Sequence, residues 1–207
     1  MAPSRHNPSQ DVPDVLGLIL AAGHSRRFGS DKRLAALGGQ TLLAATTARL
    51  APHVSSIVVM LRHGEHAKAF GLPEETHILQ APSSPIGMGT SLAAAVSALL
   101  TSSDSRHQRC EALALMLGDM PAVRAETLQA LAEQARHDMI VRPYHQGRAG
   151  HPVIFGRAYW PALTELEGDE GARALLKRYQ QHVVVLAVND PGILTDIDTP
   201  DDLPSFQ

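Results

Sequence analysis

The stretch Val15–Leu34, VLGLILAAGHSRRFGSDKRL, constrains the fold of this chain more than any other. It begins as an unbroken apolar run, Val15 to Ala22, the pattern of a strand covered on both faces. The run breaks at Gly23. A loop follows that holds Gly23, Ser25 and Gly29 among Arg26, Arg27, Lys32 and Arg33. Small residues let a ligand approach the main chain and leave amide N–H groups facing outward. Four cations around such a loop predict an anionic ligand, with several phosphates as the obvious candidate. The plainer alternative is a solvated basic loop that binds nothing.

Strand and helix alternate beyond this point. Thr41 to Leu50 reads as a helix stopped by Pro52, and Ser56 to Leu61 as a β-branched strand. Glu65 to Phe70 suggests a short helix, and Thr76 to Leu79 a weak strand. APSSPIGMGTSL is a loop to about Gly87, with the next helix starting at Thr90 or Ser91. Thr101 to Arg109 reads as an exposed loop and Ala112 to Leu117 as a buried strand ending in Gly118-Asp119-Met120-Pro121. A helix over Ala125 to Arg136, a strand over Met139 to Val141 and a hairpin-like excursion over Arg142 to Phe155 come next. Helices over Tyr159 to Leu166 and Ala172 to Tyr179, a strand over Val183 to Val188 and an acidic end, LTDIDTPDDL, complete the pattern.

Such alternation predicts an α/β fold, a mostly parallel sheet with helices on both faces. Ligands in such sheets bind beyond the carboxyl ends of the strands. The chemically loaded stretches fit that rule. Gly23–Lys32 follows the first strand, Gly118-Asp119 ends a central one, and Asp196–Asp198 follows the last.

A chain of 207 residues predicts one domain, over 14–207, behind a polar, proline-rich and disordered tail, 1–13. The net charge of −3 speaks against a nucleic-acid partner. No apolar run approaches the ~18 residues of a membrane span, so no membrane partner is expected. One cysteine, Cys110, and no signal-peptide h-region at the N-terminus predict a cytoplasmic protein.

Common phosphate and nucleophile motifs fail. His24-Ser25 after Gly23 breaks G-x-G-x-x-G, and Ser30-Asp31-Lys32 after Gly29 breaks the P-loop. Gly23-His24-Ser25-Arg26-Arg27 lacks the second glycine of a nucleophile elbow. Instead, LAAGHSRRFGSDK resembles L-A-[AG]-G-x-S-x-R-[MF]-G-x-x-K, the signature of the MobA-like nucleotidyltransferases. These include the molybdenum-cofactor guanylyl- and cytidylyltransferases. Gly87-Met88-Gly89-Thr90-Ser91-Leu92, Leu117-Gly118-Asp119-Met120-Pro121 and Asp196-Ile197-Asp198-Thr199-Pro200-Asp201-Asp202-Leu203 are similar to that family too. Gly150-His151-Pro152-Val153-Ile154-Phe155 and Gly168-Asp169-Glu170-Gly171-Ala172-Arg173 resemble the branch typified by molybdenum cofactor cytidylyltransferase. The resemblance spans residues 16 to 203.

It implies a three-layer α/β/α, Rossmann-like fold with a mixed, mostly parallel sheet, of the kind seen in nucleotide-diphospho-sugar transferases. It also implies attack of an acceptor phosphate on the α-phosphorus of a nucleoside triphosphate, with pyrophosphate leaving. The partners implied are CTP (or another nucleoside triphosphate), a molybdopterin-type cofactor as acceptor, and an apo molybdoenzyme. The nucleotide-binding residues implied are Leu20, Ala21, Ala22, Gly23, Ser25, Arg27, Lys32, Gly87, Gly89, Ser91 and Gly118, with Arg27, Lys32 and Asp119 catalytic. Arginine forks two phosphate oxygens, whereas lysine acts as a point charge. Asp119 and Asp198 are candidates for Mg²⁺, a hard cation that takes carboxylates together with substrate phosphates. His151, Asp169, Arg173 and Asp196 are assigned to the acceptor. A phosphate nucleophile is already ionised, so His151 is read as a substrate contact or a structural residue and not as a base.

Plainer roles stand beside these. Asp119 suits a turn before Met120-Pro121, Asp196 and Asp198 an acidic helix start capped by Thr199, and Arg173 a surface helix. His63-Gly64-Glu65-His66 reads as a surface turn, and Tyr159 and Trp160 as packing residues. Alanine at position 22 favours the cytidylyl branch. A guanylyltransferase, a transferase with another phosphorylated acceptor, and a non-catalytic chaperone carrying finished cofactor to molybdenum hydroxylases are the alternatives.

Overall fold

Every residue of Val15–Leu20 is buried, because this strand has a hydrogen-bonded neighbour on each side and helices on each face. A computed structural model describes residues 13–23, 28–83 and 87–206. Nearly all of the tail predicted at 1–13 lies outside them. In chain order, β1 (Val15–Leu20) leads to two short strands, β2 (Ala36–Leu37) and β3 (Gln40–Thr41), and then to α1 (Leu42–Leu50) and β4 (Ser56–Leu61). Next are β5 (His77–Gln80), α2 (Met88–Leu100), α3 (Ser105–Arg109), β6 (Ala112–Leu117) and α4 (Ala125–Glu133). The last third holds β7 (Ile140–His145), β8 (Arg148–Ala149), β9 (Val153–Gly156), α5 (Trp160–Leu163), α6 (Arg173–Arg178) and β10 (Val183–Ala187).

The main sheet has the order β10-β7-β9-β6-β1-β4-β5, with β8 added to β7. β5, β4, β1 and β6 are parallel, and β10 is parallel to β7. β9 runs antiparallel to both β6 and β7. The sheet is therefore mixed and mostly parallel, as expected. Along β1 the side chains alternate in direction. Leu16, Leu18 and Leu20 share a core with Leu92, Val96 and Leu99 of α2 and with Trp160 and Leu163 of α5. Ile19 and Ala21 share the opposite core with Leu43 and Leu50 of α1 and Leu128 of α4. Helix, sheet and helix form three layers.

Four segments differ from the sequence reading. α2 starts at Met88, ahead of Thr90 or Ser91, because the carbonyl of Gly168 accepts the amide N–H of Gly89 at 2.8 Å and does the work of a cap. Thr101 to Arg109 is not all exposed loop. Asp104 accepts the amide of Arg106 at 2.8 Å, α3 follows, and the side chain of His107 is fully buried. The excursion over Arg142 to Phe155 is part of the central sheet: β7 continues to His145, turns at Gln146-Gly147 with both residues at positive φ, and returns as β9 between β6 and β7. The strand before the acidic end is followed by a 3₁₀ turn, Pro191–Leu194, which carries the chain from the sheet edge back to its centre. Buried Asp190 holds that turn, accepting from the amides of Arg124 and Gly192 and from the Thr127 hydroxyl. No helix among the described residues is long and apolar enough to cross a membrane.

Candidate active site

The site lies at the carboxyl ends of β1 and β6. The amide of Gly118 donates to the carbonyl of Leu20 at 3.0 Å, which joins the two strand exits. A Cβ at Gly118 would come inside ordinary van der Waals contact with Leu43 Cδ1 and Ala21 Cβ, at 3.0 and 3.1 Å, so glycine permits this crossing. Beyond Leu20, the carbonyls of Ala21, Ala22 and Gly23 are all taken up on one side. Arg33 Nη1 donates to Ala21 O at 2.7 Å, and Arg62 donates to Ala22 O at 3.3 Å and to Gly23 O. In a planar trans peptide the N–H opposes the C=O. The N–H groups of Ala22 and Gly23 therefore point away from the arginines.

Arg33 is thus not one of a ring of cations awaiting an anion. It is 4% exposed, lies over the Phe70 ring at 4.3 Å, and is paired with Asp31 and Glu65 at 2.6 Å each. Those two acids outweigh its burial and hold its guanidinium firmly protonated. Glu65, read in sequence as part of a surface turn, belongs to this buried network. Ser25, Arg26 and Arg27 lie outside the described residues.

Lys32 turns the other way. Asp31 caps a single turn over Lys32–Leu34. The Lys32 ammonium lies 2.6 Å from Asp119 Oδ2 and 3.0 Å from Asp198 Oδ1, and donates to Ile197 O at 2.9 Å. The amide of Ile197 donates to Asp119 O at 3.0 Å, so the acidic end is stitched to the exit of β6. Asp202 accepts from the amides of Asp198 and Thr199 and from the Thr199 hydroxyl, which fixes the course of that end. Asp119, Asp196 and Asp198 bring carboxylate oxygens within 4.8 Å of one another.

Burial tends to discharge Lys32, but the carboxylates of Asp119 and Asp198 outweigh it and raise its pKa. Burial raises the pKa of Asp119 despite the Lys32 ammonium beside it. Asp119 Oδ1 is buried and has no hydrogen-bond partner. Three carboxylates within reach of one another, two of them paired with one ammonium and one buried oxygen unsatisfied, suit a hard divalent cation that takes oxygen ligands.

A second region opens beside Leu117. A cavity of about 550 Å³ is lined by Arg142, Tyr144, His151, Arg173, Lys177 and Met88, among others. His151 enters it from the start of β9, held by its amide to Ile193 O at 2.9 Å. Burial keeps the His151 imidazole below its ordinary pKa, and its Nδ1 and the Nε of Arg142 are buried without partners. Arg173 is exposed at the start of α6. Asp169 is exposed on the turn that docks on α2. That turn explains two glycines: a Cβ at Gly87 or Gly89 would run into the carbonyls of Gly168 or Glu167. The amides of Gly89 and Thr90 are engaged by Gly168 O, and Ser91 is 4% exposed.

The profile of the MobA-like NTP transferase domain matches residues 17–183. This chain belongs to that family. MobA-like relatives include the purine catabolism protein PucB of Bacillus subtilis, 30% identical over 92% of this chain and 94% of PucB. The molybdenum cofactor guanylyltransferase of Mesorhizobium japonicum is 28% identical, over 92% and 93% of the two chains. The molybdenum cofactor cytidylyltransferase of Escherichia coli is 26% identical, over 89% and 91%. Among solved structures, the homologue of Mycobacterium tuberculosis Rv0371c from Mycobacterium sp. strain JC1 superposes with a TM-score of 0.76 at 30% identity, over 92% and 93%. Rv0371c itself, solved in complex with manganese, gives 0.71 at 25% identity, over 94% and 97%.

The MobA-like domain brings Leu20–Gly23, Lys32, Gly118, Asp119, Asp196 and Asp198 to one place, and His151 and Arg173 to the neighbouring cavity. Sequence reasoning missed Arg62, Glu65, Asp202 and Arg142. Only Asp202 left a signal, since Thr199-Pro200-Asp201-Asp202 has the spacing of a capping box.

Proposed function

We propose that this MobA-like nucleotidyltransferase moves a CMP group from CTP to the phosphate of a molybdopterin-type cofactor and releases pyrophosphate. One observation carries the reading: the Lys32 ammonium is fixed between Asp119 and Asp198 at the strand exits, with Asp119 Oδ1 left without a partner. Two anions must approach for this reaction, so catalysis rests on positioning and charge neutralisation. An acceptor phosphate oxygen attacks the α-phosphorus, the bond to the bridging oxygen breaks, and pyrophosphate departs with that electron pair. No proton need be removed from the nucleophile.

Leu20, Ala21, Ala22, Gly23 and Gly118 form the nucleotide floor, where the outward N–H groups of Ala22 and Gly23 are donors for base or sugar. Arg27 and Lys32 contact the triphosphate, and Ser25 joins the loop around it. Gly87, Gly89 and Ser91 serve the nucleotide, and the two glycines also let the turn before α6 pack against α2. His151, Asp169, Arg173 and Asp196 serve the acceptor side. Asp119 and Asp198 would hold Mg²⁺, with Asp196 beside them. When bound, it would neutralise phosphate charge and orient the leaving group. The free, buried Cys110 and a nucleoside triphosphate substrate favour a cytoplasmic setting.

Pyrophosphate release, measured with each of CTP, GTP, ATP and UTP in the presence of Mg²⁺ and molybdopterin cofactor, tests this. CTP is expected to give the fastest release. No release with any nucleotide overturns the transferase reading and leaves the cofactor-carrying chaperone. Release with GTP alone overturns the cytidylyl choice.

A further inference from the structure

The β5 edge of the sheet carries a second group of metal-ligating side chains. His77 opens the edge strand β5, and its imidazole lies near that of His107 in α3, with ring centroids 4.9 Å apart. Asp104, the cap of α3, stands beside them with Oδ2 4.0 Å from His107 Nε2. One nitrogen from each histidine and one oxygen from Asp104 lie within 4.8 Å of one another. β5 runs parallel to β4 and so to β1, with His77 at its amino end, while the candidate active site lies past the carboxyl ends. In register His77 is level with Leu18 of β1, two residues short of the strand exit, and it lies two strands to the side, roughly 10 Å away across the sheet. The two groups are therefore separate.

The second observation concerns His107 itself. Its side chain is fully buried, and Nε2 has no hydrogen-bond partner. Its Nδ1 is 3.0 Å from the Ser102 hydroxyl, which also accepts the Asp104 amide at 3.2 Å. A hydroxyl oxygen accepting from both groups leaves the Nε2 lone pair free and the ring orientation fixed. That is the arrangement metal-bound histidines use. Burial disfavours the imidazolium, which keeps a lone pair available. Arg106 holds both oxygens of the Asp104 carboxylate, with Nε 3.2 Å from each and Nη2 2.7 Å from Oδ2, but its side chain is 63% exposed and would swing into solvent as a metal ion takes its place on Oδ2.

We propose that His77, Asp104 and His107 form a site for a borderline divalent transition ion, Zn²⁺, which clips the edge strand β5 to the turn between α2 and α3. Imidazole nitrogens with one carboxylate suit Zn²⁺ better than Mg²⁺. Bonds of about 2.0–2.1 Å set tetrahedral ligand atoms roughly 3.3 Å apart, so atoms that lie within 4.8 Å of one another need close by at most about 1.5 Å. Water would fill the fourth position. The acidic cluster at the strand exits offers only oxygen and is the natural place for a hard cation.

The test titrates the full-length protein with Zn²⁺, and separately with Co²⁺, in excess Mg²⁺ to occupy oxygen-only sites. Calorimetry gives stoichiometry and affinity, and the visible bands of Co²⁺ report a four-coordinate site with nitrogen ligands. One equivalent is expected, with a raised unfolding temperature. His77→Ala and Asp104→Asn should each weaken Zn²⁺ binding by about tenfold or more, while Asp198→Asn leaves it unchanged. Asparagine can still cap α3, and His77 is only half-buried, so both variants should fold. No Zn²⁺ uptake by the wild type overturns the proposal. So does unchanged affinity in both His77→Ala and Asp104→Asn, or a loss confined to Asp198→Asn.

Discussion

Asp119→Asn should abolish turnover and leave the protein at least as stable as the wild type. The carboxylate lies 2.6 Å from the Lys32 ammonium. At an effective dielectric of about 20, that pair is worth roughly 6 kcal/mol of gross attraction. The cost of burying a carboxylate is several kcal/mol, and here burial wins, since the Asp119 pKa is raised despite Lys32. A carboxyl whose folded pKa is raised favours folding most when protonated. Its contribution is full below the unfolded value and is lost as pH rises through the folded one. Above that folded value the ionised group costs stability, and asparagine removes that cost. Its amide oxygen still accepts from Lys32, which keeps Asp198 and the carbonyl of Ile197. The expected gain is about 0–1 kcal/mol, or an unfolding temperature up to ~4 °C higher. Thermal unfolding without divalent metal measures it, and the gap between variant and wild type should close as pH falls toward 4. Pyrophosphate release should fall by about 10²-fold or more. A variant that melts several degrees lower and retains normal turnover would refute the reasoning and make Asp119 a turn residue.

Three further outcomes follow from the geometry. Gly87→Ala places a Cβ against the Gly168 carbonyl and should cost about 1–3 kcal/mol in thermal unfolding, with a raised KM for the acceptor as the turn before α6 shifts. Arg62→Ala frees the carbonyls of Ala22 and Gly23, so the KM for the nucleotide should rise by about tenfold, a weaker effect on kcat being expected in steady-state assays. Cys110 is buried and its thiol is pushed up to about 11, so a thiol reagent at pH 8 should label it only after denaturant is added.

The inner parallel strands β1, β4 and β6 were legible because they are largely buried and announce themselves as apolar runs, whereas the half-buried edge strand β5 left only a weak signal. Ser56–Leu61 and Ala112–Leu117 are found at the residues their composition predicts. β9 was not legible, since nothing in Val153–Gly156 says that it inserts between two strands far apart in sequence. In the site, Asp119, Asp198 and Lys32 were readable as chemistry from their motifs. The direction in which Arg33 and Lys32 diverge was not. One residue's step along a turn sends Lys32 to the acids and Arg33 into a buried network with Asp31 and Glu65. Pattern names the residue types, whereas partners distant in sequence decide which face each takes.

The antiparallel course of β9 has a mechanical consequence. Leu115 of β6 and Val153 of β9 are paired in register. Asp119 lies four residues beyond the first, and His151 two residues before the second. Both therefore leave the same end of the β6–β9 ladder, so the acidic cluster and one wall of the neighbouring cavity are anchored to adjacent, paired strands. A larger guest in that cavity would have to displace the opposite wall, α6 and the turn leading into it. Selectivity for guest size would then depend on the docking of Gly168 on α2, at a distance from the residues that would touch the reacting phosphate.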